Sequence, residues 1–492
     1  MTSVLSFDLG TGGCKAAIWH DDATSVPAAV AEYVTHHPGD GLNEQRPDDW
    51  WDAVIASTQQ LCATHPAAVG GVDAIVLSGH SLGALPLNAD LKPLQERTPI
   101  WSDTRGEAHA AAFFENRSED DWYLVTGNGF SRGLYPLFKL MWLRERHPSV
   151  FRRTRTVIGS KDYVNLKLTG NVATDHSYAS GSGAYDLSQG AYSVGILGSA
   201  GIDPALFPVP VESHDQVGEV LAGPAKALGV REGIPVFAGG VDNACMAAGS
   251  RLTAHGRAYA SLGSSSWVTL SSAQPVLDAT SRPFVFRHLI PGAHVSALST
   301  FSTGTSFDWV RQLMFPDFDV RALLDEAMGA SAGAGGVTFV PTLAGGTPLE
   351  GGSAVRGALL GLSLGASRAE IIRAVMEGVA LSMARSLHRL DGLASIERPI
   401  LVTGGGSAHA GWNSIYAAAM NAPLFRSAVS RDAATLGAAA AAFVGLGVWD
   451  GYEDADRAHG EPDLITPSPE RVWQYRGIAE RFASDSALNA RR

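Results

Sequence analysis

The chain has 492 residues, of which 45% are apolar and 17% charged, so it can build two large cores and is not a disordered protein. Its 37 Lys and Arg residues stand against 49 Asp and Glu residues, and the net charge of −12 argues against a nucleic-acid backbone as the main partner. Three cysteines without a CxxC pair argue against a disulfide framework and fit a reducing compartment. We expect a cytoplasmic protein without a membrane partner, because charged residues interrupt any N-terminal export signal and the weakly polar run 436–448 is too short for a membrane span.

The predicted elements of the first half begin with a β-hairpin. Residues 4–7 form a strand, a glycine turn follows at 10–13, and the period-two alternation of residues 14–19 predicts a strand that returns beside the first. Pro47 starts a helix, because proline suits the first helical position. Three further segments are predicted in this half: a buried strand at 74–77, a short strand at 85–87 and a helix at 135–146.

The second half shows the same signals. A strand ends at 239–243, a helix starts over 244–249, and alternation around a glycine turn returns at 258–270. The remaining predicted elements are helices at 367–391, 411–421 and 433–446 and a strand at 400–402. Because a strand–glycine turn–strand unit stands near the start of each half, we predict two related α/β halves with a hinge near residue 245.

The turn Asp8-Leu9-Gly10-Thr11-Gly12-Gly13 is the first candidate site. Its glycines would let backbone N–H groups approach phosphate oxygens, while Asp8 holds a metal ion. The same residues also suit an ordinary hairpin turn in which Asp8 caps a backbone amide. A dinucleotide fingerprint is excluded because no helix follows the glycines, and a P-loop is excluded because the chain lacks a Gly-Lys pair.

Three other segments admit both a chemical and a structural interpretation. Asp242 follows a strand, so its carboxylate suits either a general base for a substrate hydroxyl or the N-cap of the next helix. Residues 404–407 suit either a nucleotide that lies against bare backbone or a tight turn. The segment Trp101-Ser102-Asp103-Thr104-Arg105 places a ring, a carboxylate and a guanidinium together, as a polyhydroxylated ligand or a surface ion pair would require. The 15 histidines show no zinc-ligand spacing.

Ten segments follow one another in an order that is more specific than any of them alone: 8–11, 44–51, 101–105, 139–142, 161–163, 173–181, 240–249, 261–265, 357–378 and 403–406. This ordered set resembles the FGGY carbohydrate kinases over nearly the whole chain, and it is most similar to their xylulose kinase branch. The resemblance implies an α/β, actin-like (ribonuclease H-like) duplicated fold with two domains around a cleft. A sugar-binding domain would cover 1–246, and a nucleotide-binding domain would cover 247–492.

The resemblance also implies roles for individual residues. Asp242 would be the catalytic base, and Asp8 would lie at the magnesium ion. ATP and its phosphates would be contacted by Thr11, Gly12, Lys15, Gly263, Ser264, Gly405 and Gly406. The sugar would be contacted by Ser81, Leu82, Trp101, Asp103, Asp242 and Asn243. Phosphoryl transfer depends mainly on positioning and charge neutralisation, which such a set supplies.

The chain departs from the xylulose kinase pattern in the loop 78–83. Those kinases usually carry Ser-Gly-Gln-Met-His-Gly where this chain has Ser-Gly-His-Ser-Leu-Gly, so Leu82 cannot make the sugar hydrogen bond of the histidine. Either His80 or Ser81 compensates, or the substrate lacks or inverts that hydroxyl. Two further departures are Ser264 in place of a threonine and the absence of the usual Glu-Arg pair from 341–348.

The leading hypothesis is therefore ATP- and Mg²⁺-dependent phosphorylation of a hydroxyl on a small sugar or polyol, for example a ketopentose such as xylulose. An actin- or chaperone-like ATPase would have the same fold without a sugar acceptor, but a chaperone needs a peptide-binding domain for which no residues remain. The joint presence of Asp8, Thr11 and Asp242 argues against a member of the family that only binds ligands. The sequence leaves open the sugar, the hydroxyl that is phosphorylated and the oligomeric state, a homodimer included.

Overall fold

A computed structural model describes residues 1–427, 429 and 431–491 of the chain. The strands of its first half are β1 Ser3–Leu9, β2 Gly13–His20, β3 Ser25–Glu32, β4 His36–Gly39, β5 Leu42–Gln45, β6 Ala74–Gly79, β7 Leu85–Leu87, β8 Thr98–Pro99, β9 Thr156–Ile158, β10 Thr174–Asp175, β11 Tyr185–Asp186, β12 Ala191–Tyr192, β13 Pro210–Val211, β14 Gln216–Glu219 and β15 Pro235–Val241. The helices of this half are α1 Pro47–Thr64, α2 Pro66–Gly70, α3 Glu107–Phe114, α4 Glu119–Thr126, α5 Pro136–Arg146, α6 Pro148–Arg153, α7 Ser160–Thr169, α8 His176–Ser180, α9 Val194–Ala200, α10 Ala222–Leu228 and α11 Asp242–Gly249.

The second half has fewer and longer elements. Its strands are β16 Ala258–Leu262, β17 Ser266–Ser272, β18 Phe284–Arg287, β19 His294–Thr300, β20 Thr338–Val340, β21 Ala358–Leu360, β22 Ile400–Thr403, β23 Leu424–Arg426 and β24 Asp463–Ile465. Its helices are α12 Gly304–Met314, α13 Val320–Ala327, α14 Arg368–Leu393, α15 Ala410–Met420, α16 Ala433–Gly445 and α17 Pro469–Ala490.

The two large sheets share one pattern of strand directions, and the second has an additional edge strand, β18. The first has the order β14-β15-β6-β1-β2-β3, in which β1, β6 and β15 are parallel and the other strands are antiparallel to their neighbours. The second has the order β18-β19-β17-β16-β22-β23-β24 and repeats this pattern, with β16, β22 and β23 parallel. The repetition confirms the predicted duplication of an α/β unit.

The parallel strands place the candidate residues of the first half at one edge of a sheet. Gly79 at the end of β6 is paired with Leu9 of β1 on one side and with Val241 of β15 on the other. Neighbouring strands lie about 4.8 Å apart, so Leu9 and Val241 are separated by roughly 10 Å. The β1–β2 turn and the start of α11 therefore meet at the carboxyl ends of these strands, where ligands of open α/β sheets bind.

Two helices, α11 and α16, pack against each other between the halves. The Cα of Gly249 faces the backbone of Ala433, and that of Gly437 faces the backbone of Cys245, so the missing side chains let the two helices approach closely. Although α16 comes late in the chain, it packs on β1, β6 and β15 of the first sheet, and its residues 438–443 are fully buried. The predicted hinge near residue 245 would act through this helix pair. The proposed division at 246 falls inside α11 and stays a prediction.

Local patterns predicted most of these elements correctly. The helix α1 begins at Pro47 as expected, and both glycine hairpins, β1–β2 and β16–β17, are present. One structural interpretation was wrong: the N-cap of α11 is Val241, and Asp242 is its first helical residue. The side chain of Asp242 therefore does not cap this helix. Among the described residues, no helix has both the length and the hydropathy needed to cross a bilayer.

Candidate active site

A cavity of about 210 Å³ lies at the carboxyl edge of the first sheet, and both halves of the chain line it. The first half contributes Asp8, Gly10, Asp242 and Asn243. The second half contributes mainly aromatic and hydroxyl side chains, namely Tyr259, Ser261, Trp267, Thr269, Phe284 and Phe286. The structure thus brings together the predicted metal residue and the predicted base, which are more than 230 residues apart in the sequence.

Asp8 and Asp242 place two carboxylates in this cavity. Burial raises the pKa of Asp8 above its ordinary value, although the Ser78 hydroxyl, which donates to Oδ1 at 2.8 Å, and the charge of Lys15 oppose the rise. Burial, followed by the charge of Asp8, raises the pKa of Asp242 to about 7, and the Asn243 N–H, which donates to its Oδ1 at 2.8 Å, opposes this. Carboxylates whose charges are poorly compensated favour a proton or a cation nearby.

The donor set fits a magnesium ion of the type that is shared with phosphates. Within the described ranges, no cluster of three or more His, Cys, Asp or Glu side chains could hold a metal by itself. Mg²⁺ usually keeps only one or two protein carboxylates and completes its shell with water and substrate phosphates. Asp8, the predicted metal residue, supplies one such carboxylate.

The β1–β2 turn is joined to the segment 101–105 by hydrogen bonds. The Trp101 Nε1–H donates to Thr11 Oγ1 at 2.9 Å, and the Trp101 ring is 40% exposed. The Gln45 amide donates to the Thr11 carbonyl at 2.7 Å, and Trp50 Nε1–H donates to Gln45 Oε1 at 2.8 Å. Thr11 and Gly12 are therefore exposed at the tip of a turn whose backbone these hydrogen bonds hold in place.

Other predicted sugar contacts lie deeper. The Asp103 carboxylate is fully buried, forms an ion pair with Arg105 at 2.7 Å and accepts the Asn43 N–H at 2.7 Å. Ser81 is also buried, and Leu82 is only 2% exposed. These three residues lie outside the lining of the 210 Å³ cavity, so their contact with a substrate stays a prediction.

Lys15 takes part in an ion pair between the two halves. Its Nζ lies 3.1 Å from Asp432 Oδ1, directly before α16, and also donates to the carbonyl oxygen of Arg431. The predicted contact of Lys15 with the transferred phosphate stays a prediction, because the ammonium group is here paired with a carboxylate.

A second cavity, of about 1070 Å³, lies at the corresponding edge of the second sheet. All four residues that were predicted to contact the nucleotide from this half, Gly263, Ser264, Gly405 and Gly406, line it. Gly263 and Ser264 belong to the β16–β17 turn, and Gly405 and Gly406 begin the 3-10 turn Gly405–Ala408 after β22. Exposed backbone at these turns can approach a ligand closely, since no side chain stands in the way at the glycines.

The lining of the larger cavity includes an aromatic cluster, beside charged residues such as Asp308, Arg321 and Asp325. The rings of Phe307 and Trp412 lie 5.6 Å apart, and Tyr416 stacks on Trp412 at 5.8 Å. His409 also lines the cavity, and its Nδ1 accepts the Trp412 N–H at 3.1 Å at the start of α15. Phe307, Trp412 and Tyr416 were not predicted from the sequence, because aromatic side chains in a helix carry no local signal that separates a cavity wall from a core.

The two cavities share the β16–β17 hairpin as a wall. Ser261 lines the smaller cavity, whereas the next residue, Leu262, lines the larger one together with Gly263 and Ser264. Successive side chains of a strand point to opposite faces, so a single strand can contribute to both cavities. The arrangement suits transfer of a group from a ligand in the larger cavity to a ligand in the smaller one.

Comparison with known proteins agrees with this geometry. Residues 3–249 match the N-terminal domain of the FGGY family of carbohydrate kinases, and residues 258–446 match its C-terminal domain. The chain is 27% identical to the xylulose kinase of Bacillus subtilis (strain 168), over 98% of this chain and 96% of that protein. It is 26% identical to the gluconokinase of Bacillus licheniformis, over 98% and 95%. The crystal structure of xylulose kinase from Rhodospirillum rubrum superimposes with a TM-score of 0.90 and 26% identity, over 99% and 98% of the two chains. These matches confirm the predicted resemblance and the actin-like (ribonuclease H-like) fold.

Proposed function

The chain belongs to the FGGY family of carbohydrate kinases, and on that basis we propose that it transfers the γ-phosphoryl group of ATP, with Mg²⁺, to a hydroxyl of a small ketose or polyol, for example a ketopentose such as xylulose. The observation that carries the proposal is the pair of cavities that share the β16–β17 hairpin, the smaller of which contains Asp8 and Asp242. ATP would lie in the larger cavity, with its base against the aromatic cluster of Phe307, Trp412 and Tyr416 and its phosphates at the glycine turns. The sugar hydroxyl would face Asp242.

Each polar group has a defined task in this reaction. Asp242 would accept the proton of the attacking hydroxyl. Its burial raises the pKa of the carboxyl and so favours the uptake of a proton. Asp8 would hold the magnesium ion, which neutralises charge on the transferring phosphoryl oxygens when bound. Thr11 and Gly12, at the exposed tip of the β1–β2 turn, would contact the transferred phosphate. A cytoplasmic location and a homodimer stay predictions.

The proposal predicts that ADP release depends on a sugar. A coupled assay with ATP and Mg²⁺ should be run against a panel of ketoses, aldoses and polyols, with a no-sugar reaction as control. We expect at least one compound to raise ADP release well above the control, because the acceptor hydroxyl is a reactant. If ADP is released, and at the same rate with and without every compound, the protein is an actin-like ATPase instead.

The acceptor itself is predicted from Leu82. This residue is buried, and its Cδ2 lies close to Gly181. Because its side chain is a hydrocarbon, it offers a sugar hydroxyl no polar atom. A buried hydroxyl without a partner costs about 1–3 kcal/mol, which corresponds to roughly tenfold to hundredfold in kcat/KM. We therefore expect D-xylulose to be a poorer substrate than another ketose or polyol. We also expect Leu82→His to raise kcat/KM for D-xylulose.

The measurement compares kcat/KM across the panel for the wild type, Leu82→His and Leu82→Met. The methionine variant keeps an apolar side chain of similar volume and should behave like the wild type. The idea fails if the wild type already prefers D-xylulose and Leu82→His brings no gain.

A further inference from the structure

Strand β15 contains a bulge shortly before the proposed base. Between Phe237 and Gly240, β15 carries one residue more than β6 does opposite it. Gly239 has a left-handed φ of +66°, and a Cβ atom there would overlap the carbonyl oxygen of Leu77. Side chains of a strand alternate between its faces, so one additional residue decides which face the following residues present. The bulge therefore determines the orientation of the residues that follow it, Asp242 included.

A fully buried group of charges lies beside the bulge. The Lys161 Nζ is 2.6 Å from Asp162 Oδ1 and 2.8 Å from Asp175 Oδ1. Burial alone would lower the pKa of Lys161, but the two carboxylates raise it above its ordinary value, so the ammonium group stays charged. Buried ion pairs stabilise a fold little compared with well-packed apolar residues of the same volume. A contribution to stability therefore does not explain this group.

The buried side chains bond the backbone inside the bulge. The carbonyl oxygen of Ala238 accepts hydrogen bonds from Asn165 Nδ2 at 3.2 Å and from Lys161 Nζ at 3.4 Å. All three residues are buried, so these bonds are shielded from water. The path of β15 at the bulge is thus held by side chains of α7.

The same network reaches the residue next to the base. The N–H of Val241 donates to Ser177 Oγ at 2.9 Å, and the Ser177 hydroxyl donates in turn to Asp175 Oδ2. Asp175 is the carboxylate that Lys161 binds through its other oxygen. A continuous chain of buried hydrogen bonds therefore runs from Lys161 to the N–H of Val241, the residue directly before Asp242.

We propose that Ser177 is a positioning residue, which fixes the Asp242 carboxylate by holding the Val241 N–H against the buried network. The inference rests on the proposed function, in which Asp242 accepts the proton of the sugar hydroxyl. Loss of the bond would leave a buried N–H unpaired and let the start of α11 shift. A misplacement of about 1 Å at a reacting group costs on the order of 10²-fold in rate. The segments 161–163 and 173–181, none of whose residues lines either of the two cavities, thereby acquire a function.

The test compares Ser177→Ala with Ser213→Ala as a matched control. Both serines are buried, and both hydroxyls donate to Asp175 Oδ2, that of Ser213 at 3.3 Å. The two hydroxyls differ in that Ser177 also accepts the Val241 N–H. We expect Ser177→Ala to lower kcat on the best sugar roughly 10–100-fold, while KM for the sugar and the Kd for ATP change less than about twofold. For Ser213→Ala we expect all three values to stay within about twofold of the wild type.

The melting temperature of each variant is measured beside its kinetics. If Ser177→Ala and Ser213→Ala have equal kcat, or if Ser177→Ala changes only KM, the proposal is overturned. Should Ser177→Ala melt below the assay temperature, the wild type and both variants are assayed at a lower temperature at which Ser177→Ala is folded, and equal kcat values for the two variants there overturn the proposal equally. If the wild type shows no sugar-dependent ADP release, both the proposed function and this role of Ser177 are rejected. If the wild type is active and only the comparison of the two variants fails, the role of Ser177 alone is rejected.

Discussion

Asp242→Asn is expected to keep the fold and the affinity for ATP but to lower kcat by roughly 10²–10⁴-fold, as the loss of a general base does. The amide is nearly isosteric with the carboxylate, and its oxygen can still accept the Asn243 N–H that lies 2.8 Å from Oδ1. It cannot accept the proton of a sugar hydroxyl. The measurement is kcat on the best sugar of the panel, together with the Kd for ATP by calorimetry.

A matched control for this variant is Asp203→Asn. The Asp203 side chain does cap a helical turn, because its Oδ1 accepts the Ala205 N–H at 3.0 Å, and the residue is exposed. The amide can make the same bond, so we expect a wild-type kcat. A near-normal kcat for Asp242→Asn would remove Asp242 from the mechanism.

Withdrawal of Mg²⁺ is expected to abolish sugar-dependent ADP release, with a fall of at least about 10²-fold, since a bound metal contributes several kcal/mol to the stabilisation of transition-state charge. For Asp8→Asn we expect the Mg²⁺ concentration at half-maximal rate to rise by about tenfold or more. Burial already raises the pKa of Asp8, because a charged carboxylate is unfavourable away from water. A bound cation would offset that unfavourable energy. The measurement is the initial rate as a function of Mg²⁺ concentration at saturating ATP and sugar.

Asp22→Asn is the control for Asp8→Asn. Asp22 lies between β2 and β3, where its carboxylate accepts bonds from the backbone and hydroxyl of Thr24 and lies outside the lining of the cavity. Its Mg²⁺ dependence should match that of the wild type. If Asp8→Asn also matches the wild type, Asp8 does not hold the metal.

Local chemistry made much of the fold predictable. Alternating apolar residues and a glycine turn specify a hairpin within about 20 residues, and this held for β1–β2 and for β16–β17. The turns at Gly263 and at Gly405 were identified in the same way, and both line the larger cavity. Proline at the first position of α1 marked the start of that helix.

The conformations of single polar side chains could not be predicted, because each depends on partners distant in sequence. The ion pair of Asp103 with Arg105 was one of the two alternatives for the segment 101–105, but the hydrogen bond that the buried carboxylate accepts from the Asn43 N–H spans 60 residues. Lys15 was expected at a phosphate, yet it is paired with Asp432, more than 400 residues away. The sequence around a charged side chain next to a glycine turn does not indicate which distant residue will neutralise its charge.

The amino-acid sequence was sufficient for the hairpins, the helix starts, the duplication and the family resemblance, since these depend on residue periodicity, turn chemistry and motif order along the chain. The common cavity of Asp8 and Asp242 depends instead on β6 pairing with both β1 and β15, and the orientation of Asp242 depends on the bulge at Gly239. The bond from Val241 to Ser177 spans 64 residues. Such long-range pairings are selected by the burial of whole sheet faces and the satisfaction of buried polar groups, which no short stretch of sequence contains.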